Sequence, residues 1–183
     1  MLSKEIEIKF RVDDEKEMSK KLESIGARKT EEGLEHNLVF DNGEIRDSGF
    51  LLRLRKFNNR SLLTFKKAIT KKEFKEADEV QTDVKDFEGM KEILINLGYE
   101  IFWVYEKHKT NFSLGNTLIC VDRLPFGTYM EIEGNENAIR NVIERLGLDP
   151  KKGITKTYLE LYQDFCKEQG KEMENLIFWR KAR

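Results

Sequence analysis

The sequence contains few of the residues and motifs that identify a compartment or an enzyme class directly. Its 183 residues include only two cysteines and two prolines. Cys120 and Cys166 stand far apart, which favours neither a disulfide framework nor a zinc knuckle and indicates a reducing compartment. We expect Cys120 to pack in the core. No apolar run is long enough to cross a bilayer, and the charged start MLSKEIEIKF is unlike a signal peptide, so we expect a cytoplasmic protein.

The sequence also lacks an excess of charge of one sign. Charged residues make up 37% of the chain, but 33 Lys and Arg residues nearly cancel 34 Asp and Glu residues. Bulk attraction to nucleic acid or to a membrane is therefore not expected. The motifs GxxxxGK[ST], GxGxxG and HExxH are absent as well. Any recognition of phosphate must come from side chains rather than from a glycine-rich loop.

Alternation of charged and apolar residues is the pattern that the sequence does have. In SKEIEIKF, an extended chain would place Glu5, Glu7 and Lys9 on one face and Ile6 and Ile8 on the other. The alternation returns in FLLRLRKF, LLTFKKA, DEVQTDV, VYEKHKTNF, TLICVDRL and YMEIEG. A single strand of this kind most often turns its charged face to water, so the meaning of the pattern depends on how the strands assemble.

Three helix-like stretches lie between these strands. VDDEKEMSKKLESIG, VKDFEGMKEILINLG and EGNENAIRNVIERLG all end at glycine, a common signal for the end of a helix. They are either copies of a diverged strand–helix repeat or unrelated amphipathic helices. From about residue 155, the sequence predicts two more helices, separated at Gly170, that pack on the barrel; their apolar stripe is Tyr158, Leu161, Tyr162 and Phe165.

The amphipathic helices decide between two ways of assembling the strands. A sandwich would bury the apolar strand faces against each other and would need no helices. A closed antiparallel barrel covered by helices would instead turn the charged faces into a central channel. No linker rich in Pro, Gly or Ser divides the chain. We therefore expect one α+β domain over residues 1–183, a closed antiparallel β-barrel with a charged interior and helices outside.

Such a channel would bring together two kinds of side chain. Carboxylates bind Mg²⁺ or Mn²⁺, which prefer oxygen ligands, whereas arginine and lysine bind phosphate oxygens. A channel with both would hold a metal-bound polyphosphate. The candidate carboxylates are Glu5, Glu7, Glu79, Asp122, Glu131 and Glu133, and the candidate cations are Lys9, Arg53, Arg55, Lys66, Lys107 and Lys109.

The motif Glu5-x-Glu7-x-Lys9 resembles the ExExK signature of the CYTH superfamily, the triphosphate tunnel metalloenzymes. The remaining motifs follow the order of that family from about Lys4 to Leu161: the RxR strand in FLLRLR, the TxK strand in LTFKK, the block VDRLPFGTYMEIEG, and TKTYLEL. The resemblance implies an eight-stranded barrel that encloses the triphosphate of its substrate, which would be ATP, thiamine triphosphate or inorganic triphosphate.

The resemblance also implies roles for the site residues. Glu5, Glu7, Glu131 and Glu133 would hold Mg²⁺ or Mn²⁺, or the water around it, supported by Glu79 and Asp122, and Glu5, Glu7 and Lys9 would be the catalytic residues. Lys107 either joins the residues that bind the substrate or faces solvent, an alternative that is also open for Lys109. The triphosphate would be held by Lys9, Arg53, Arg55, Lys66, Lys109 and Lys156.

Length and motif order look closest to class IV adenylyl cyclases, which convert ATP to cyclic AMP and pyrophosphate. Two alternatives stay open, a triphosphatase and a non-catalytic module that binds polyphosphate or a nucleotide. The second is motivated by ADEVQ, where Ala77 and Gln81 replace the outer residues of the family pattern Arg-x-Glu-x-Glu, and Lys109 stands where arginine is common. The resemblance is compatible with a homodimer, and no nucleic-acid or membrane partner is expected.

Overall fold

Eight strands form one closed barrel in the computed structural model, which describes residues 2–71 and 73–178. Neighbouring strands are antiparallel throughout, in the order β1-β5-β4-β3-β2-β6-β7-β8 around the barrel. The predicted barrel is therefore confirmed. The strands are β1 (Ser3–Val12), β2 (Arg28–Asp41), β3 (Phe50–Phe57), β4 (Arg60–Lys71), β5 (Lys75–Asp83), β6 (Glu100–Leu114), β7 (Thr117–Leu124) and β8 (Gly127–Glu133).

Four α-helices lie in the described part of the chain: α1 (Glu15–Ser24), α2 (Phe87–Asn96), α3 (Glu136–Arg145) and α4 (Tyr158–Glu168), with a short 3₁₀ turn at Pro150–Lys152. Helix α1 begins where the Asp14 carboxylate accepts hydrogen bonds from two first-turn amides, and it is followed by Gly26 at φ +84°. Helix α4 begins with a capping box between Thr157 and Glu160. None of these helices is long and apolar enough to cross a membrane.

Helices α1, α2 and α3 cover the apolar outer face of the barrel. Leu22 of α1 and Ile139 of α3 pack in one cluster with Ile8 and Phe10 of β1, together with residues of β6, β7 and β8. Helix α2 inserts Leu94 into a separate cluster on the outer side of β2 and β3. Because the helices bury the apolar side of β1, β2, β3, β6, β7 and β8, the alternating charged side of these strands faces the interior.

Helix α4 packs across one end of the barrel instead of on its outer face. Its residues Tyr158 and Tyr162 join a cluster with Trp103, Tyr105 and Tyr129, which project inward on β6 and β8. The ring of Trp103 stacks on Tyr105 at 4.5 Å and on Tyr162 at 6.0 Å between centroids. In the predicted apolar stripe of this helix, Tyr158 and Tyr162 are buried and Leu161 and Phe165 are partly buried, and the stripe packs on the inward aromatic residues of the barrel.

The prediction of a second helix after Gly170 is wrong for the described residues 171–178, which run extended beside β6. The amide of Leu176 donates to the carbonyl of Val104 at 2.8 Å, and the amide of Glu106 donates to the carbonyl of Leu176 at 2.8 Å. Strand β7 pairs with β6 only from His108 onward. The earlier part of β6 therefore has free backbone groups that a strand-like segment satisfies and a helix would not. The last predicted residues, 179–183, lie outside the described part.

A matched pair of substitutions tests the covering of the barrel by helices. Ile139→Ala is expected to lower the free energy of unfolding by about 2–5 kcal/mol, because the side chain is fully buried between α3 and the barrel. Ile93→Ala on α2 removes a side chain that is 54% exposed and is expected to change it by no more than about 0.5 kcal/mol. Urea unfolding measures both, and equal losses would contradict the packing described.

Candidate functional site

The barrel encloses a cavity of about 810 Å³, and most predicted site residues line it. Their side chains come from alternate positions on six strands, which is why strands far apart in sequence contribute to one wall. Two predicted residues, Asp122 and Lys156, do not line the cavity. The predicted residues that do are Glu5, Glu7, Lys9, Arg53, Arg55, Lys66, Glu79, Lys107, Lys109, Glu131 and Glu133.

Three carboxylates converge on one side of this cavity. One carboxylate oxygen from each of Glu5, Glu7 and Glu133 lies within 4.8 Å of the other two. Glu7 and Glu133 are direct partners across β1 and β8, and Glu5 is the next inward residue of β1. A set of three carboxylate oxygens fits Mg²⁺ or Mn²⁺, since both ions prefer oxygen ligands.

Glu133 differs from its neighbours because it has no ion-pair partner within the described part of the chain. Burial, and next the negative charge of Glu5, raise the pKa of Glu133 to about 7. Glu7 behaves in the opposite way. Burial would raise its pKa, but Lys9 and Lys75 lower it to about 2. The site thus contains one carboxyl group whose ionisation depends strongly on whether a cation is near.

A chain of ion pairs runs along β1 and β8. The ammonium of Lys9 lies 2.5 Å from Glu7 Oε1 and 3.0 Å from Glu131 Oε1, and the residue is only 2% exposed. Lys75 reaches the same oxygen of Glu7 at 2.7 Å. Burial would lower the pKa of Lys9, but Glu131 and Glu7 raise it above its ordinary value. Lys9 therefore stays charged, whereas burial lowers the pKa of Lys75. Both lysines hold the buried Glu7 carboxylate in place through their ion pairs.

Lys66 holds a second group of acids. Its ammonium lies 2.6 Å from Glu5 and 2.6 Å from Glu79. Glu79, which we predict to support the metal, is therefore linked through the Lys66 ammonium to Glu5, a carboxylate of the predicted metal site. The role of Glu79 as a metal ligand stays a prediction.

Asp122 lies beneath the cavity wall and is fully buried. Its Oδ2 atom accepts hydrogen bonds from the Lys107 ammonium at 2.7 Å and from the Tyr158 hydroxyl at 2.9 Å. The structure therefore places Asp122 against a cation and a helix residue, apart from the group of Glu5, Glu7 and Glu133. Lys107 points inward and is buried, so its solvent-facing alternative does not apply.

Two buried cations have no carboxylate within ion-pair distance among the described residues. Arg53 donates one hydrogen bond, to the Tyr105 hydroxyl at 3.1 Å, and its Nε atom is buried without a partner. Lys109 is also buried, and its ammonium has neither an ion pair nor a hydrogen bond in the described ranges. Burial opposes the charge on Lys109, yet Asp122 and other nearby acids raise its pKa well above the ordinary value. Both cations are therefore available to an anion that enters the cavity.

The unusual residues Ala77 and Gln81 have clear structural positions. Gln81 Oε1 accepts hydrogen bonds from Arg55 at 3.0 Å and from the Thr64 hydroxyl at 3.1 Å. Ala77 is buried opposite Glu5 on β1. Gln81 therefore orients Arg55 without neutralising it, which leaves more positive charge at this part of the cavity.

Lys156 lies away from the cavity. Its ammonium pairs with Asp164 of α4, and its side chain is 53% exposed. The two residues are on the surface, where such a pair contributes little to stability. The predicted role of Lys156 in holding the substrate has no support from its position.

Sequence reasoning missed several charged residues of the interior. Glu35 is 1% exposed, and its carboxylate lies 3.6 Å from both Arg55 and Lys107. The segment LEHNLVF has the same alternation as the opening strand and could have revealed it. Lys75 was missed because the predicted strand DEVQTDV begins at Asp78, whereas β5 begins at Lys75.

Comparisons with known proteins agree with this architecture. The model of the CYTH domain family matches residues 3–158. A Methanocaldococcus jannaschii protein named "putative adenylate cyclase MJ0240" is 23% identical over 170 residues, covering 86% of this chain and 97% of that protein. The structure of the PH1012 protein from Pyrococcus horikoshii OT3 has a TM-score of 0.77 and 29% identity, covering 86% of this chain and 98% of that one. The Hippeastrum protein HpAC1 shares the fold, with a TM-score of 0.63 and 16% identity over 92% of this chain and 97% of its own.

The raised pKa of Glu133 gives a pH dependence for metal binding. At a pH below its pKa of about 7, a cation must displace the proton of this carboxyl group. The apparent affinity for Mn²⁺, measured by calorimetry, is therefore expected to rise about tenfold from pH 6 to pH 8. Glu133→Gln is expected to bind Mn²⁺ more weakly and to lose most of this rise. An unchanged rise in the variant would show that another group titrates.

Proposed function

This chain belongs to the CYTH domain family, and on that premise we propose that it is a metal-dependent enzyme that acts on a triphosphate substrate inside the barrel. One observation supports this proposal above the others. A single cavity contains three converging carboxylates, from Glu5, Glu7 and Glu133, and two buried cations, Arg53 and Lys109, that have no acidic partner within ion-pair distance in the part of the chain that the structure describes. A substrate that carries phosphate together with a divalent cation would satisfy both sets.

The carboxylate group is the proposed metal site. Glu5, Glu7 and Glu133 would hold Mg²⁺ or Mn²⁺, and Glu131 lies next to them on the inward face of β8. When bound, such an ion offsets phosphate charge and polarises the phosphorus–oxygen bond that breaks. Lys9 orients Glu7 and Glu131, and Lys66 orients Glu5, through their ion pairs.

The buried cations are the proposed phosphate site. Arg53 and Lys109 would bind phosphate oxygens directly, and Arg55, oriented by Gln81, would join them at the same wall. Because these groups are fixed before the substrate arrives, they can stabilise the negative charge that grows on the leaving oxygen. Positioning and electrostatics would then supply most of the rate enhancement.

For the specific reaction we propose the conversion of ATP to cyclic AMP and pyrophosphate, in which the ribose 3′-hydroxyl attacks the α-phosphorus. The name of the Methanocaldococcus jannaschii relative supports this choice. The cavity also has apolar wall residues, Val39, Leu51 and Leu159, beside Arg53. A mostly apolar surface next to a cation suits a nucleoside that carries phosphate.

Hydrolysis of a triphosphate is the second candidate. The Hippeastrum structure is described as an adenylyl cyclase homologue with a dominant triphosphatase activity, and it has the same fold. Water would then attack the terminal phosphorus within the same set of carboxylates and cations. The two reactions differ in the nucleophile and not in how the triphosphate is held.

A product assay separates the candidates. Purified protein with Mg²⁺ or Mn²⁺ is expected to convert ATP to cyclic AMP and pyrophosphate, and Glu7→Gln is expected to lower kcat at least about a hundredfold. Phosphate released from ATP, thiamine triphosphate or inorganic triphosphate would instead support a triphosphatase. Tight binding without any product would indicate a binding module. Turnover that needs no metal, or that survives Glu7→Gln, would contradict the assigned site.

Two substitutions on β3 test the phosphate site. Arg53→Met removes a buried cation that has no acidic partner within ion-pair distance among the described residues, so the affinity for inorganic triphosphate is expected to fall about tenfold to a hundredfold. Lys56→Met removes an outward cation that lies 6.0 Å from the Phe87 ring, and it serves as the matched control. Calorimetry measures both. Equal losses of affinity would mean that overall charge, and not the cavity, attracts the ligand.

A further inference from the structure

Cys120 lies in the wall of the charged interior, beside carboxylates of the cavity. It pairs directly with Glu131 across β7 and β8, and Glu133 is the next inward residue of β8. The Cys120 sulfur and one carboxylate oxygen from each of Glu131 and Glu133 all lie within 4.8 Å of one another. Cys120 is fully buried, as we expect from the sequence, but three groups able to bind a metal surround one point there.

One polar group beside this point, the Asn111 amide oxygen, lacks a hydrogen-bond partner among the described residues. Cys120 itself is a free cysteine with a buried side chain. On the other side of Cys120, its partner Asn111 on β6 lines the cavity, and the Asn111 Oδ1 atom is buried without a partner. Directly opposed residues have their Cβ atoms about 4.5–5.5 Å apart. A buried amide oxygen without a donor is costly, so this place contains a group that a bound ligand or its water could satisfy.

We propose that Cys120, Glu131 and Glu133 form a metal site selective for thiophilic divalent cations such as Zn²⁺ or Co²⁺. Zinc accepts cysteine sulfur and carboxylate oxygen in one tetrahedral site, and three protein ligands leave the fourth position to water or to the Asn111 oxygen. Mg²⁺ gains little from a thiolate ligand, because it prefers hard oxygen ligands. The added sulfur therefore distinguishes this site from the group of Glu5, Glu7 and Glu133.

The two metal sites share Glu133. A cation held by Cys120 would occupy this carboxylate and compete with Mg²⁺ or Mn²⁺ for it. The inference concerns the binding of a cation and does not rest on the proposed function.

Binding of a cation at Cys120 would release the proton of the thiol. Burial raises the pKa of the Cys120 thiol above its ordinary value, so without a cation the sulfur keeps its proton. As the sulfur–metal bond forms, the sulfur–hydrogen bond breaks and the proton leaves to solvent, and a proton held by the Glu133 carboxyl group leaves as the oxygen–metal bond forms. The thiolate and the Glu131 and Glu133 carboxylates then balance the two charges of the cation and one charge of Lys9, which lies 3.0 Å from Glu131.

Cobalt absorption spectroscopy tests the site without an activity assay. Co²⁺ added to the reduced protein is expected to produce the near-ultraviolet charge-transfer band of a thiolate ligand together with visible bands of tetrahedral Co²⁺. Zn²⁺ should remove these bands, whereas the same concentration of Mg²⁺ should not. A wild-type protein that gives no thiolate band would overturn the proposal.

The two cysteines of the chain provide a matched control. Cys120→Ser should lose the band and weaken Co²⁺ binding about tenfold or more, and Cys166→Ser should keep both. Cys166 lies on α4 in the aromatic cluster, so it reports thiol binding away from the site. A band that survives Cys120→Ser, or that disappears in Cys166→Ser, would overturn the assignment. If Cys120→Ser does not fold, Glu131→Gln should still reduce the affinity for Co²⁺.

Because the readout is optical, its failure is distinguishable from failure of the proposed function. Triphosphate turnover with Mg²⁺ but no thiolate band would reject only the cysteine site. A thiolate band without any turnover would leave the cysteine site standing and reject the enzymatic proposal.

Discussion

The barrel depends on charge compensation in its interior. Lys9, Lys107, Glu35 and Glu131 are each less than 7% exposed, so water cannot solvate them as it would on a surface. Breaking one buried ion pair leaves a charge without a partner and costs about 3–5 kcal/mol. The interior can therefore be charged only because most of its buried acids and bases contact a group of opposite charge. This same constraint fixes most of the side chains before any ligand binds.

Charge compensation is incomplete at a few positions. The uncompensated acid and the uncompensated cations lie on different strands. Glu133 has no cation of its own and lies with Glu5 and Glu7 at β1 and β8. Arg53 on β3 and Lys109 on β6 have no carboxylate within ion-pair distance in the described part of the chain. A protein folded only for stability would gain by pairing or removing such groups. Their retention around one cavity is what a ligand that carries both a cation and anionic groups would require.

The alternation in the sequence predicted which face of each strand is charged, but it could not predict which acid meets which base. Pairing depends on strand register, which brings the Asp122 carboxylate to Lys107 and to Tyr158 of α4. Lys107 also lies 3.9 Å from Glu131, so this group is separate from Glu5, Glu7 and Glu133 but not from every carboxylate. The sequence pattern could not predict that Lys75 lies in the barrel interior, because this depends on where β5 begins. The extended segment 171–178 was mistaken for a helix because its pairing partner, the free part of β6, is remote in sequence. Local patterns therefore predicted the barrel and most of its interior, and long-range pairing determined the rest.

Helix α4 connects the outside of the molecule to the interior charges. Its first residue, Tyr158, donates to the same Asp122 oxygen that receives the Lys107 ammonium. If Asp122 were absent, both a buried hydroxyl and a buried ammonium would lose their acceptor, so docking of the helix and placement of Lys107 would fail together. The Lys107 ammonium also lies 3.6 Å from Glu35, which contacts Arg55. A helix that covers one end of the barrel thereby helps to position the cations that face the cavity, which gives Asp122 a structural role sufficient to explain its burial without any direct contact with a metal.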